Sequence, residues 1–199
     1  MAAAEPVTVA ALGDSLTQGY GLPERDGLVP QLQAWLDARS AGVRLINAGV
    51  SGDTTAGGLS RIGWTLTPEV DALIVALGGN DLLRGIDPAV SRQNLEGILA
   101  AARDAGVPVL LVGLPAPPNY GADYKAAFDA IYPELAAAYG AIHVENLLAP
   151  LAEAVRNGAG PYDVLQPDGL HPNAEGVRMI VDALGPRVLD LAERVGAPS

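Results

Sequence analysis

The chain has 199 residues, with 12 Lys and Arg set against 23 Asp and Glu for a net charge of −11. That field repels phosphate backbones and excludes nucleic acid as an expected partner. Cysteine is absent, which excludes disulfides, thiolate metal sites and a cysteine nucleophile. The length reads as one domain, residues 1–199, large enough to bury its own core. No run of about 18 apolar residues is present to span a membrane. Met1-Ala-Ala-Ala-Glu-Pro6 lacks a basic segment followed by an apolar one, so no signal peptide is expected in the sequence as given. It reads equally as a plain cytoplasmic start or as the mature end of a processed periplasmic or secreted chain.

In chain order, short apolar runs rich in Val, Ile and Leu recur at 7–12, 43–47, 72–77, 107–112 and 141–144. They lack polar alternation, as expected of strands covered on both faces. Helical patterns separate them. Leu28, Leu32, Trp35 and Leu36 share one face, and Asp87-Pro88 is an N-cap and N1 pair for a helix turning Val90, Ile98, Leu99 and Ala102 to the core. Residues 124–139 read as one helix and 177–184 as another, with Gly185-Pro186 separating the latter from 188–195. Trp35 and Trp64 both fit core positions on amphipathic helices. Strand and helix alternating five times predict a three-layer α/β/α sandwich around a five-stranded parallel sheet. In such a sheet, functional residues belong to the loops at the carboxyl ends of the strands. Those loops are 13–21, 48–55, 78–86 and 113–121, with 166–173 before the last helices.

Ser15 stands in the first of these loops, and a serine needs a base within hydrogen-bond reach to act as a nucleophile. The chain has two histidines. His143, inside the fifth strand, reads as a satisfied core or edge residue. His171 lies in Asp168-Gly-Leu-His-Pro172, where a carboxylate three residues earlier can reach Nδ1 across a tight turn and leave Nε2 as an acceptor. Acyl transfer also needs donors for a developing oxyanion. Gly52, after the second strand, lets a backbone N–H approach a substrate, and Asn80, after the third, offers a side-chain amide. Each feature alone is ordinary turn chemistry. Asp14, Asp53 and Asp81 read as braces for their loops, and Asn119 and Tyr120 read as either lining an acyl site or facing solvent.

Together, Gly13-Asp-Ser-Leu-Thr17, a loop glycine at 52, Gly78-Gly-Asn-Asp81 and Asp168-Gly-Leu-His-Pro172 resemble the four blocks of the SGNH (GDSL) hydrolases. The resemblance covers about residues 7–184. Pro117-Pro-Asn-Tyr-Gly121 and the 80–85 loop resemble, more narrowly, the branch of thioesterase I, lysophospholipase L1 and bacterial arylesterases. It implies a flavodoxin-like sheet and a serine esterase acting on aryl or short-to-medium acyl esters, thioesters or lysophospholipids, without metal or cofactor. It implies Ser15 as nucleophile, His171 as base, Asp168 as its acid, and Ser15 N–H, Gly52 N–H and Asn80 as the oxyanion hole. Leu82 departs from the glycine of thioesterase I, which leaves the acyl length open. Thr17, where a G-x-S-x-G elbow needs its second glycine, excludes that other hydrolase signature. Two alternatives stand beside this reading: a carbohydrate deacetylase of the same family, and a flavodoxin-like module using Ser15, Thr17 and Gly19 to cradle a flavin phosphate.

Overall fold

A computed structural model describes residues 5–195; the N-terminal reading at residues 1–4 lies outside the described residues. Five strands, β1 (Val7–Gly13), β2 (Val43–Gly49), β3 (Ala72–Ala76), β4 (Val109–Val112) and β5 (Ile142–Val144), form one parallel sheet in the order β2-β1-β3-β4-β5. The order reverses between β1 and β3. The Ser15 loop leaves β1 at this switch, where open α/β sheets present their sites.

Ten helices accompany the sheet among the described residues: α1 (Ser15–Gln18), α2 (Leu28–Asp37), α3 (Thr55–Thr65), α4 (Gly79–Leu83), α5 (Pro88–Asp104), α6 (Ala122–Asp129), α7 (Ile131–Tyr139), α8 (Ala149–Arg156), α9 (Pro161–Val164) and α10 (Ala174–Glu193). Alternation along the strands divides the core into two faces. Val9, Ala11, Ile74 and Leu110 pack with Leu32 and Leu36 of α2 and with Val181 and Val188 of α10. Ala10, Leu12, Val75 and Leu111 pack on the other side with Leu95 and Ile98 of α5 and Ile131 and Leu135 of α7. Because both faces are covered, the strands carry no polar alternation. The architecture is the expected three-layer α/β/α sandwich. No helix among the described residues is long and apolar enough to cross a membrane.

Several local expectations are corrected. Residues 124–139 divide into α6 and α7 at Ala130, rather than forming one helix. Pro186 does not end a helix but lies inside α10. A proline there forgoes the bond to the Asp182 carbonyl, at a cost of roughly 3 kcal/mol. One stripe, Val177, Ile180, Val181, Leu184, Val188 and Leu191, is buried on both sides of it and outweighs that loss. Trp64 is 86% exposed and Val90 45%, so neither joins the core. Trp35 is partly buried against α10 at Gly185, with the Arg39 guanidinium 3.5 Å above its ring. His143 is not satisfied: its Nε2 is buried without a hydrogen-bond partner among the described residues. Burial lowers the pKa of this ring, so it sits there neutral, which limits the penalty for the missing bond.

The seat of Ser15 depends on a close approach. At the end of β2, a Cβ on Gly49 would lie 2.3 Å from the Gln18 backbone N and 2.8 Å from the Thr17 carbonyl carbon, both in or beside the first turn of α1. Backbone cannot swing aside as a side chain can. Gly49→Ala is therefore expected to destabilise the protein by about 1–3 kcal/mol. The expected readout is a lower urea midpoint at unchanged m.

Candidate active site

Asp14 follows β1 and caps α1, its Oδ1 accepting the Leu16 N–H at 3.0 Å. The cap turns the chain so that Ser15 is the first helical residue, with its side chain at the rim of the sheet. Its neighbour in space, His171, is 156 residues away in sequence. Asp168 shapes the histidine's turn by accepting the N–H groups of Leu170 at 2.9 Å and His171 at 3.0 Å on Oδ1. Its Oδ2 then meets His171 Nδ1 at 2.6 Å, and His171 Nε2 lies 2.9 Å from Ser15 Oγ. These contacts assign the tautomer: Nδ1–H donates to Asp168, and Nε2 accepts from the Ser15 hydroxyl. The two backbone N–H groups and the imidazole hold the Asp168 carboxyl down at about 2, so it is ionised through the whole neutral range. Pro172 and the Asn173 cap of α10, which accepts the Gly176 N–H, anchor the turn from behind.

Opposite the serine, the 50–55 loop and α4 face each other. Gly52 sits in the left-handed region, φ 81°, where a side chain would be strained. Ser15 N–H and Gly52 N–H have no protein acceptor among the described residues. Asn80 stands on α4 rather than in an open loop. Its Nδ2 donates to the Asp53 carbonyl at 2.9 Å and lies 3.5 Å from Asp14 Oδ2. The expected braces are present. Asp53 pairs with Arg61 at 2.7 Å, and fully buried Asp81 accepts from Thr55 N–H, Thr55 Oγ1 and Ser91 Oγ at 2.9, 2.6 and 2.9 Å. Asn119 and Tyr120 line the cleft with Leu82 and Leu114, and its volume is about 460 Å³.

Two arginines escaped the sequence reading. Arg61 donates to the carbonyls of Gly13 and Ala48, and Arg84 Nη2 donates to the Gly52 carbonyl at 2.8 Å. Both act on backbone oxygens far away in sequence, so no residue pattern announces them. Tyr20 also adjoins the site, its ring centroid 4.8 Å from that of His171.

The arrangement is a hydroxyl joined to an imidazole and a carboxylate, in an apolar cleft that Ser15, Gly52 and Asn80 also line. Comparison with known proteins agrees. Residues 11–179 match the model of the GDSL-like lipase/acylhydrolase family. Esterase TesA of Pseudomonas aeruginosa is 40% identical over 166 residues, spanning 83% of this chain and 79% of that protein. Thioesterase 1/protease 1/lysophospholipase L1 of Escherichia coli K12 is 35% identical over 181 residues, spanning 90% and 82%. Among solved structures, AlinE4, an SGNH-hydrolase family esterase, superposes with a TM-score of 0.76 at 43% identity over 100% of both chains. The crystal structure of TesA gives 0.82 at 37% identity over 92% of this chain and 99% of that one. The chain belongs to the GDSL-like lipase/acylhydrolase family of SGNH hydrolases.

Asp14 gives the site its pH dependence of stability. It is 4% exposed, and burial raises its carboxyl from 3.8 to about 6 against the opposing pull of the Leu16 N–H and His171. The ionised form is thereby disfavoured by about 3 kcal/mol relative to water. The folded state holds this proton more tightly than the unfolded chain, so stability falls as pH rises from about 4 to about 6 and stays lower above that. Asp14→Asn, which keeps an acceptor for Leu16, is expected to gain about 2–3 kcal/mol at pH 8 and nothing near pH 4. Urea denaturation at the two pH values measures it.

Proposed function

We propose that the chain is one hydrolase domain acting as a serine esterase, with a triad of Ser15, His171 and Asp168 and an oxyanion hole of Ser15 N–H, Gly52 N–H and Asn80. The single observation that carries the triad is the continuous hydrogen-bond chain from Asp168 Oδ2 through His171 to Ser15 Oγ, 2.6 and 2.9 Å long. Family membership supplies the reaction class, carboxylic ester hydrolysis.

Ser15 Oγ attacks the ester carbonyl carbon as His171 Nε2 takes its proton. Asp168, ionised and fixed on Nδ1, stabilises the imidazolium that forms. The carbonyl oxygen becomes an anion between the free N–H groups of Ser15 and Gly52 and the Asn80 amide, which gives one hydrogen to Asp53 and turns the other from its long 3.5 Å contact with Asp14 Oδ2 to the anion. As the tetrahedral adduct collapses, His171 returns the proton to the departing alkoxide. A water, deprotonated in turn by His171, adds to the acyl-enzyme, and the carboxylic acid leaves with Ser15 restored.

The cleft indicates the substrate. It is apolar along Leu82, Leu114 and Tyr120 and open at Leu170, and its volume suits an aryl or short-to-medium acyl group. The surrounding negative charge favours neutral esters over polyanions. Thioesters share the same electrophilic carbonyl and belong to the same reading. A flavin-phosphate module is not favoured, because the Ser15 hydroxyl is taken up by an imidazole rather than free at a helix N-terminus.

A p-nitrophenyl ester series from acetate to palmitate tests the proposal. The wild type is expected to prefer the shorter half of the series, and Ser15→Ala to lose turnover throughout. Turnover equal in both proteins would refute the assignment of the nucleophile. Asp168→Asn turns an amide N–H toward Nδ1 and disfavours the working tautomer. It is expected to lower kcat by about 10²–10⁴-fold with a smaller change in KM.

A further inference from the structure

We propose that Arg84 is a positioning residue for the oxyanion hole, acting through its hydrogen bond to the Gly52 carbonyl. This rests on the esterase reading above. The short helix α4 and its C-cap, Arg84, hold the facing loop at three points in succession. Arg84 Nη2 donates to Gly52 O at 2.8 Å, Asn80 Nδ2 donates to Asp53 O at 2.9 Å, and Asp81 accepts the Thr55 N–H at 2.9 Å. Asn80 and Arg84 are four residues apart, so one helical turn aligns both side chains along the loop.

The Gly52 hold is the vulnerable one. Val50 N–H is bonded to Gly13 O, Asp53 N–H to Val50 O, and the Asp53 carboxylate to Arg61. Between those fixed points, Gly52 itself is tied down by Arg84, and an added Cβ there would meet nothing nearer than Arg84 Nη2 at 3.9 Å. The Arg84 and Val50 bonds hold the Gly52 carbonyl and the Asp53 N–H, the two ends of one peptide group. The neighbouring 51–52 peptide, which carries the Gly52 N–H, is joined to it only through Gly52, whose φ of 81° and open surroundings let that peptide turn once the carbonyl loses its donor. Among the described residues Arg84 has no carboxylate partner, so its guanidinium is committed to this carbonyl rather than to an ion pair. A rigid planar fork reaching over from a neighbouring helix suits that task better than a lysine.

The expected effect belongs to the transition state. In the ground state a carbonyl oxygen gains little from the Gly52 N–H, whereas the oxyanion gains much. Arg84→Ala is expected to lower kcat on a p-nitrophenyl ester by about tenfold, with KM within about twofold. Binding of a trifluoromethyl ketone, which adds Ser15 Oγ to its carbonyl and leaves the ketone oxygen as the anion, is expected to weaken by the same factor. The pH profile of kcat/KM should keep its midpoint, because the triad is untouched. Arg84→Lys, which retains a donor, is expected to recover part of both losses, and thermal melts of each variant exclude unfolding as the cause. Unchanged kcat in Arg84→Ala, a loss confined to KM, or a loss not shared by the ketone would overturn the inference. If Arg84→Ala does not fold, wild-type kcat and ketone affinity in Arg84→Met, which fills the space without a donor, would overturn it equally. A wild type without ester turnover would instead refute the esterase reading, so the two failures are distinguishable.

Discussion

The guanidinium of Arg61 gathers the ends of two strands and the loop that follows the second. From α3 it donates to the Gly13 carbonyl at 2.9 Å, where β1 gives way to the proposed nucleophile, and to the Ala48 carbonyl at 2.7 Å in β2. Its Nε meets Asp53, in the loop that carries Gly52, at 2.7 Å. The Gly13 carbonyl also accepts the Val50 N–H at 3.0 Å, and a carbonyl oxygen has a second lone pair open to a further donor. A planar cation with several fixed donors reaches both carbonyls at once, and the Asp53 carboxylate balances its charge. The same bonds set the distance between Ser15 and Gly52, so stability and site geometry come from one residue.

A second centre lies below the first. The carboxylate of Asp81 is fully buried, yet it accepts from the backbone and hydroxyl of Thr55 and from Ser91, while Asn94 donates to the Thr55 hydroxyl at 3.0 Å. A buried anion is tolerable only when donors surround it, and removing any one would leave the rest poorly matched. This network joins the start of α3, the short α4 and the first turns of α5. Asn80 is next to Asp81 in sequence, so the amide proposed to face the oxyanion stands on a rigid base. Side chains that meet the substrate need such support, because a catalytic donor displaced by 1 Å forfeits much of its effect.

The parts of this molecule legible in its sequence are those written locally. Apolar runs foretold all five strands to within a few residues, and Asp87-Pro88 foretold the start of α5. Asp168 and His171 are three apart, so a single turn announced their pairing. Pro186 misled because propensity speaks for one residue, while the buried stripe from Val177 to Leu191 speaks for the whole helix. Trp64 misled because an amphipathic pattern does not say where its face ends. Arg61 and Arg84 left no trace, since their partners are carbonyl oxygens 48, 13 and 32 residues away, and every residue has one. Positions whose role is to hold backbone are the ones a single sequence conceals.

Asp14 and Asp168 show how environment separates two like groups around one imidazole. Asp168 is exposed and held by two backbone N–H groups as well as His171, and its carboxyl falls to about 2. Asp14 is buried, and although the Leu16 N–H donates to it, desolvation prevails and its carboxyl rises to about 6. Pairs whose environments drive their pKa values apart divide labour. The strongly acidic one stays charged through the neutral range and bonded to Nδ1 of the ring. The weakly acidic one is charged in the neutral range. Its burial destabilises the fold, but the same burial lets it cap α1 next to Ser15 in a low-dielectric rim. A residue that holds the serine in place there must be small and must accept an N–H, and aspartate meets both demands at the expense of stability above pH 6.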